Sequence, residues 1–386
     1  MHSLAVQARW LRARLEWHLL GNHLWANAKA LVFAGSFFAG PEADAWRARG
    51  LEMLRHELRE QVLPDGGHFE LSPMYHAIVL EDLLDLIQLS RRFRGLVPAA
   101  DIAAWSECVP RMMRWLQVMS HPDGEIAFFN DAAIGIAPNF DTLAEYAEQL
   151  GLGGCPPLAD ALVVLPDSGY VRAQAGPAVL IADVARIGPD HLPGHAHADT
   201  LSFELSLHGA RVFVNGGTST YERNRERLRQ RGTAAHNTVE VNGSDSSEVW
   251  ASFRVARRAR PRNFLVDSHA GVLRIECAHD GYLRLPGRVL HRRIWRLAAN
   301  RLEVEDYLTG SYSTAIARYH CHPSVRVTDD SRLQGPAPVR LRWRCEGASA
   351  HVREDSWHPE FGKALPAQCI ELEFKRSQAV MRIEWD

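Results

Sequence analysis

Hydrophobic and polar positions change their period partway along the chain. In the first part, apolar residues recur every three to four positions among Ala, Leu, Arg and Glu, which predicts amphipathic helices. Short connections between successive helices favour antiparallel packing in hairpins. The predicted helices run from Trp10 to Leu20, Leu24 to Phe38, Ala43 to Glu60, Pro73 through Leu86, Asp101 to Met119 and Thr142 to Leu150.

The second part alternates apolar and polar residues and is rich in Val, Ile, Leu and Phe, which predicts strands. Many strands without intervening helices imply a large antiparallel sandwich. We therefore predict an α+β multidomain fold, with a helical domain over residues 1–160 and a β-sandwich domain over residues 161–386. The predicted strands lie within Gly169 to Arg186, Thr200 to Val214, Thr238 to Val241, Gly271 to Cys277, Arg288 to Asp306, Ala315 to His320, Val339 to Cys345 and Ala379 to Trp385.

Composition narrows the class of protein. The 386 residues include 44 basic and 46 acidic side chains, a formal net charge of −2, which gives no basic footprint for nucleic acid. Eleven Trp are many for this length; indole faces pack on sugar rings, although core filling is the commoner role. Six cysteines without a CxxC pair indicate scattered thiols rather than a thiolate zinc site or a disulfide framework.

The N-terminal segment does not read as a signal peptide, because Arg9, Arg12, Arg14 and Glu16 interrupt it. As written, the chain is expected in the cytoplasm, whereas a trimmed start would allow a periplasmic or secreted protein. No stretch reaches the ~18 apolar residues that a membrane span requires. Oligomeric state is left open.

The densest group of reactive side chains precedes the strand that starts near Leu201. In the run Pro193-Gly194-His195-Ala196-His197-Ala198-Asp199, alternation along an extended segment puts His195, His197 and Asp199 on one side. Two imidazoles and a carboxylate can bind a metal, move protons or hold one another. Taken alone, the run favours equally a metal site and a polar edge of the sheet without a specific function.

A second group, from Arg231 to Asn237, also precedes a strand and contains His236. The loop between the two groups starts at Asn215, contains Tyr221, and holds six Arg when counted from Arg211 to Arg231. These arginines indicate either a solvated loop or a cationic surface that faces an acidic ligand.

A third group lies in the helical part, where Asp65-Gly66-Gly67 forms a turn ahead of Glu70. Ser72 is predicted to cap a helix with Pro at its first position. Tyr75 and His76 then lie on the first turn, where side chains can point into a cleft, although a helical Tyr usually serves packing. The fourth element is Asn22 with His23 beside it; Asn has weak helix propensity.

Together these segments resemble the heparinase II/III family of polysaccharide lyases, and also certain alginate and oligoalginate lyases. That family carries an Asn or His in a helical toroid, then Tyr-His after a DG-x-x-x-E-x-S segment, and H-x-H-A-D, D-x-G-x-x-x-Y and R-x-T-x-A-H-N runs in a β-domain. Order and spacing agree from about Asn22 to Trp295, most closely with members found beside bacterial exopolysaccharide genes. The matching positions are Asn22, Tyr75-His76, His195 to Asp199, Asn215 to Tyr221 and Arg231 to Asn237.

The resemblance implies a partial α/α toroid of helical hairpins, shorter than usual, followed by the β-sandwich, with the active site between them. It implies a carbon–oxygen lyase that cleaves an acidic, uronate-containing polysaccharide by β-elimination, without an organic cofactor. Asn22 neutralises the uronate carboxylate, Tyr75 is the acid/base, and His195 is the base or charge stabiliser. Tyr221 is a further catalytic position, and His23, His76 and Arg231 are expected to bind substrate.

The resemblance also implies a structural zinc site formed by His197, His236 and a carboxylate. Asn215 occupies the carboxylate position, and a neutral amide is a much poorer zinc ligand. We therefore expect zinc binding to be weak, absent or completed by a different group.

Two other functions stay open at this level. A toroid-fold glycoside hydrolase would need two carboxylic acids across the bond, and Glu70, Asp82, Asp131 and Asp199 are available. A non-catalytic protein of exopolysaccharide assembly would bind an acidic glycan without cleaving it. The short helical part and Asn215 favour this second alternative to some degree.

Overall fold

A computed structural model describes residues 1–329, 332–336 and 340–386. It divides into two compact units. The helical unit comprises Met1–Gln117 and Ile136–Pro157, and the β-unit comprises Val118–Gly135 and Leu158–Asp386. The ranges 1–160 and 161–386 stay a prediction of domain limits, but the segment Val118–Gly135 groups with the β-unit although it precedes residue 160.

Helices form where the apolar spacing predicts them, with one exception. The segment from Trp10 to Leu20 was predicted as one helix, but the observed helix ends at Ala13. The chain then turns because Asn27 accepts the Glu16 N–H at 3.0 Å, and Leu20 takes a left-handed φ of 60°. The helices are α1 (His2–Ala13), α2 (Gly21–Phe37), α3 (Pro41–Gln61), α4 (Pro73–Arg92), α5 (Ala99–Val118), α6 (Phe140–Gln149) and, within the β-unit, α7 (Arg225–Arg231).

Helices α2 and α3 form a tight hairpin because glycine allows their backbones to approach. A Cβ on Gly50 would lie 2.6 Å from the Ala28 carbonyl oxygen, and one on Gly35 would lie 2.5 Å from the Ala43 carbonyl oxygen. Both distances are too short for any other residue. The hairpin packs Trp25 into the interior of the helical unit, where it is 1% exposed. None of the helices in the described residues is long and apolar enough to cross a membrane.

The β-unit consists of antiparallel strands joined mainly by short turns. Its strands are β1 (Leu162–Leu165), β2 (Tyr170–Ala175), β3 (Ala178–Asp183), β4 (Phe203–Leu207), β5 (Ala210–Phe213), β6 (Val239–Val241), β7 (Val249–Trp250), β8 (Arg254–Val255), β9 (Pro261–His269), β10 (Val272–His279), β11 (Leu290–Ala298), β12 (Arg301–Thr309), β13 (Ala315–His320), β14 (Arg326–Asp329), β15 (Arg332–Gln334), β16 (Leu341–Glu346), β17 (Ala348–Trp357), β18 (Leu365–Phe374) and β19 (Gln378–Trp385).

Within the described residues these strands form three main sheets and the small β7–β8 hairpin. The orders are β1-β2-β3-β4-β5, β14-β15-β16-β19-β12-β11-β10-β9 and β17-β18-β13-β6. Their apolar faces share one core, in which Phe203 contacts Trp295 and Tyr319 edge to face. Helices followed by a large antiparallel sandwich confirm the predicted α+β fold class.

Some strands carry too little alternation to be predicted. Strands β9 and β17 are mostly exposed, so a repeating apolar face is missing from their sequences. They lie at the edges of their sheets, where only one neighbour constrains them. The predicted strand from Val339 to Cys345 corresponds to β16, but Val339 itself lies outside the described residues.

Candidate active site

A buried carboxylate organises the predicted histidine run in the β-unit. Asp131 accepts a hydrogen bond from His195 Nδ1 at 2.9 Å and another from His197 Nε2 at 2.8 Å. Its backbone N–H donates to the His195 carbonyl at 3.0 Å. The prediction that His195 and His197 share one side therefore holds, although this run is a loop rather than a strand. The third predicted member, Asp199, instead accepts the Asn130 N–H at 3.1 Å.

The charge on Asp131 is balanced by a buried arginine that also fixes nearby aromatic rings. Arg227 donates to both Asp131 oxygens and to the Ser252 carbonyl. Its guanidinium lies 4.9 Å from the Tyr221 ring centroid and 5.2 Å from that of Phe253. The ring of Tyr221 in turn contacts that of His195 at 5.9 Å. Arg227 thus holds Asp131 and Tyr221 at once.

Burial and charge set the protonation of this cluster. Burial alone would raise the pKa of Asp131, but the charge of Arg227 and the hydrogen bonds from His195 and His197 outweigh it and hold the pKa well below its usual range. Burial lowers the pKa of His197 to about 4. It also lowers that of His236 well below its usual value, with further lowering by nearby His197. Asp131 is therefore ionised, and His197 and His236 are neutral, near neutral pH.

Arg211, Arg227, Arg229 and Arg231 bind other groups of the protein, whereas Arg223 and Arg225 are exposed, so a cationic surface would be limited to these two. Arg231 is buried and donates to the Ala196 carbonyl at 2.9 Å and to the Ala251 carbonyl at 3.2 Å. Arg211 binds Asp123, and Arg229 binds Glu226. The guanidinium of Arg231 therefore supports the loop that carries His195 and His197. Its role in substrate binding stays a prediction.

The second motif run is fastened to the first by hydrogen bonds. Thr233 donates to the Ala198 carbonyl at 2.8 Å, and the Asn237 amide donates to the Phe203 and Val214 carbonyls. The loop after Asn215 requires glycine, since Gly217 has φ +77° and a Cβ there would lie 2.1 Å from the His358 carbonyl oxygen. The motif spacing thus reflects contacts that fix one loop against another.

Of the three predicted zinc ligands, His197 and His236 meet through a hydrogen bond, whereas the Asn215 side chain binds other partners. His197 Nδ1 lies 3.2 Å from His236 Nε2. Because His197 Nε2 donates its proton to Asp131, Nδ1 accepts, and His236 Nε2 donates to it. The Asn215 amide donates to Ser202 at 3.4 Å and accepts the Asn237 N–H at 3.1 Å. Among the residues that the structure describes, His236 Nδ1 makes no hydrogen bond, but the three side chains include no carboxylate, so they do not fit a zinc site.

Other groups could hold a metal ion. In the described part of the chain, two clusters of three have ligand atoms within 4.8 Å of one another: His320–Asp355–Cys369, which is largely buried, and the more exposed His56–Glu57–Glu60. In the first cluster His320 Nδ1 already binds Asp355 at 2.5 Å, which is a hydrogen-bond distance. These groupings identify no particular metal.

In the helical unit, Glu70 positions Asn22. The buried Glu70 carboxylate accepts the Asn22 backbone N–H at 3.0 Å and its side-chain amide at 3.1 Å from each oxygen. Asn22 lies on the first turn of α2. Its neighbour His23 is half-exposed and lies 3.5 Å from Glu16. The Glu of the D-G-x-x-x-E-x-S segment therefore orients the predicted neutralising side chain.

The same segment places Tyr75 and His76. Ser72 caps α4 by accepting the Tyr75 N–H at 3.2 Å, as predicted, and Tyr75 is half-buried on the first turn. His76 is fully buried and binds the Met112 carbonyl at 2.9 Å, and burial lowers its pKa to about 3. Its ring lies 4.3 Å from that of Trp115. His76 is thus bound within the helical unit, and its predicted contact with substrate stays a prediction.

Sequence reasoning missed the two residues that organise the β-unit cluster. Asp131 was weighed only as a possible acid of a hydrolase, and Arg227 only as one of several loop arginines. The available signal was the polar pair Asn130-Asp131 directly after two consecutive Phe residues. Asn130 has a left-handed φ of 58°, and its side chain accepts the His197 N–H at 3.1 Å. The two polar residues directly after the apolar run therefore indicate a turn with a left-handed residue at Asn130.

Comparison with known proteins covers both units. The family model described as heparinase II/III N-terminus matches residues 1–148, and the one described as heparinase II/III-like, C-terminal, matches residues 158–386. A heparin-sulfate lyase of Bacteroides stercoris is 26% identical over 249 residues, covering 59% of this chain and 37% of that protein. A heparin-sulfate lyase of Pedobacter heparinus is 26% identical over 249 residues, covering 58% and 36%.

Solved structures show the same fold. A crystal structure of heparinase III matches with a TM-score of 0.80 at 18% identity, over 99% of this chain and 63% of that one. The chondroitin AC lyase of Streptomyces coelicolor matches with a TM-score of 0.54 at 9% identity, over 97% and 62%. The chain therefore spans little more than a third of the curated relatives and less than two thirds of these structures. With family models matching nearly its whole length, the chain belongs to the heparinase II/III family.

Proposed function

We propose that this chain is a polysaccharide lyase that cleaves an acidic polysaccharide next to a uronic acid by β-elimination. Membership of the heparinase II/III family supports the reaction class, and the naming of relatives as heparin-sulfate lyases supports an acidic glycan. The chemical difficulty is the proton on C5 of the uronate, which is weakly acidic. Its removal builds negative charge on the neighbouring carboxylate, so donors aimed at that group lower the barrier.

The proposal assigns a role to each motif residue. Asn22 neutralises the uronate carboxylate with its amide, which Glu70 orients. Tyr75 removes the C5 proton when the proton and the leaving group share a face, and returns it to the leaving oxygen. For the opposite epimer His195 is the base and Tyr75 the acid. Tyr221 supports the His195 ring through aromatic contact. The bond from C4 to the leaving oxygen breaks as the C4–C5 double bond forms.

One observation carries the assignment of His195. Its Nδ1 donates to the ionised Asp131, so the proposal assigns removal of the C5 proton to Nε2. A carboxylate that fixes the tautomer in this way is a common means of preparing a histidine as a base. His197 and His236 hold the loop together, and no step of the reaction passes through a metal.

The hydrolase alternative loses support because its candidate acids are engaged. Glu70 binds Asn22, Asp82 binds Lys29 at 2.5 Å, and Asp131 binds Arg227. Asp199 accepts the Asn130 N–H. A hydrolase needs one carboxylic acid to protonate the leaving group and a second to activate water or attack the sugar. Among the described residues no specific contact favours the non-catalytic alternative, and the following experiment distinguishes it from a lyase.

The test is a panel of uronate polysaccharides, including heparan sulfate, alginate and glucuronan, assayed by the ultraviolet absorbance of the unsaturated product. A hydrolase gives shorter chains without this absorbance, and a binding protein gives neither. We expect Tyr75→Phe to lose about 100-fold or more in kcat. Tyr146→Phe is the matched control. It removes a phenolic hydroxyl of the same helical unit, and that hydroxyl is bound to Asp85. Full activity of Tyr75→Phe would overturn the assignment of the acid/base.

A further inference from the structure

A cleft in the β-unit concentrates positive charge. Its volume is about 350 Å³, and it is lined by Arg186, Ile187, Asp190 and the segment from Ala256 to Arg260. That lining contains four arginines and one acid, whereas the chain as a whole carries a net charge of −2. None of the motif residues assigned to the proposed reaction belongs to the lining.

Two arginine side chains of the cleft bind other groups of the protein, and two bind none in the part of the chain that the structure describes. Arg258 donates to the Asp190 carbonyl at 3.0 Å, and Arg257 binds Glu248 through Nε at 2.7 Å. Arg186 and Arg260 are exposed, and neither forms an ion pair within the described residues. The Arg260 backbone is nevertheless fixed, since its N–H donates to Asp280 at 2.8 Å. The cleft thus has a fixed wall with two guanidinium groups available for an external anion.

We propose that this cleft binds an anionic group, a sulfate or a carboxylate, of an acidic glycan. Planar guanidinium groups match both anions through paired N–H donors. The volume lies within the range of small-ligand sites, about 300–1,000 Å³, which suits one charged sugar unit better than a broad surface. The choice of a glycan rests on the proposed function; the anion site itself rests on the arginines of the cleft.

The experiment compares two double variants of the full chain. Arg186→Ala with Arg260→Ala removes the two available guanidinium groups. Arg332→Ala with Arg342→Ala is the matched control, because these exposed residues pair across β15 and β16 and carry the same charge. Binding is measured at low salt with dextran sulfate, which has sulfates but no uronate, with glucuronan fragments, which have carboxylates only, and with neutral dextran.

We expect the cleft variant to weaken binding of at least one of the anionic polymers by about fivefold to tenfold, with no effect for the control. A loss confined to dextran sulfate identifies a sulfate site, and a loss confined to glucuronan identifies a carboxylate site. Equal weakening by both variants would mean that net charge alone matters, and would overturn the proposal. If an oligodeoxynucleotide binds as tightly with the same dependence on the arginines, the cleft does not select a glycan, and the assignment of a glycan as its ligand is overturned.

The two proposals fail in different ways. If the cleft variant loses binding while no uronate polymer is cleaved by the unaltered chain, the anion site stands and the lyase proposal falls. If polymers are cleaved but the cleft variant binds like the unaltered protein, the lyase proposal stands and the anion site falls.

Discussion

At the residue scale, motif positions in this chain depend on acids that hold them. Asp131 fixes the tautomer of His195, and Glu70 fixes the amide of Asn22. Both acids are buried, so their charges act in a medium where hydrogen bonds are strong and unpaired groups are costly. The identity of a motif residue therefore does not fix its chemistry alone. Its hydrogen-bond partner sets the orientation of the side chain and which atom carries the proton.

Replacing Glu70 tests this dependence. Glu70→Gln keeps the shape of the side chain but presents an NH₂ to the Asn22 amide in place of one acceptor oxygen. We expect kcat on the best uronate polymer to fall about tenfold or more, with a smaller change in KM, because charge stabilisation acts in the transition state. Circular dichroism and Tm report whether the fold persists. Unchanged kcat in a folded variant would refute the role of Glu70 as a positioning residue.

Replacing Asn215 tests the account of the metal site. We expect the unaltered protein to hold zinc far below one ion per chain by elemental analysis, and to keep its activity in a chelator. Asn215→Asp restores the carboxylate of the ligand set that the family resemblance implies, so the variant should retain zinc and gain Tm when zinc is added. Stoichiometric zinc in the unaltered protein would contradict the conclusion that His197, His236 and Asn215 do not fit a zinc site.

At the element scale, the turn ahead of α4 delivers Glu70, Ser72 and Tyr75 together. The turn depends on Gly66, which has φ +92° and whose added Cβ would lie 2.3 Å from the Arg111 carbonyl oxygen. Sequence indicates such a turn from Asp-Gly-Gly, and it indicates the Ser72 cap from Ser-Pro. It does not indicate that α5 approaches the turn so closely.

A pair of glycine substitutions separates the cost of the left-handed φ from the cost of the close approach of α5. Gly66→Ala introduces both an unfavourable φ and a clash with Arg111, whereas Gly40→Ala, at φ +100°, introduces the unfavourable φ into open space. We expect Gly66→Ala to lower the free energy of unfolding by at least about 1–3 kcal/mol more than Gly40→Ala, as measured by denaturant titration. Equal losses for the two variants would show that the close approach of α5 is relaxed at little cost.

At the scale of the whole molecule, buried neutral histidines make stability depend on pH. Burial lowers the pKa of His76 to about 3 and that of His197 to about 4 in the folded state, below the ordinary value of 6.5. At these two positions the unfolded chain binds more protons as the pH falls below about 6.5, so they weaken folding down to about pH 3 for His76 and about pH 4 for His197. Burial lowers the pKa of further fully buried histidines: His121, His236, His279 and His291.

The measurement is the free energy of unfolding between pH 7.5 and 4.5. We expect His76→Gln to reduce the number of protons taken up on unfolding, which sets the slope of this free energy with pH, by up to one, because one buried neutral imidazole is gone. His18→Gln, at an exposed position, serves as the control and should leave the slope unchanged. A slope in His76→Gln equal to that of the unaltered protein would show that His76 does not contribute to this dependence.

The sequence by itself determined the helical and sandwich parts and the cap at Ser72, because these depend on local periodicity and turn chemistry. Only the tertiary structure decided which carboxylate binds His195 and which one binds Asn22. Asp131 lies 64 positions from His195, and Glu70 lies 48 positions from Asn22. A local pattern cannot encode such partners, and burial rather than sequence sets the protonation of His197 and the use of Arg231 as a structural residue.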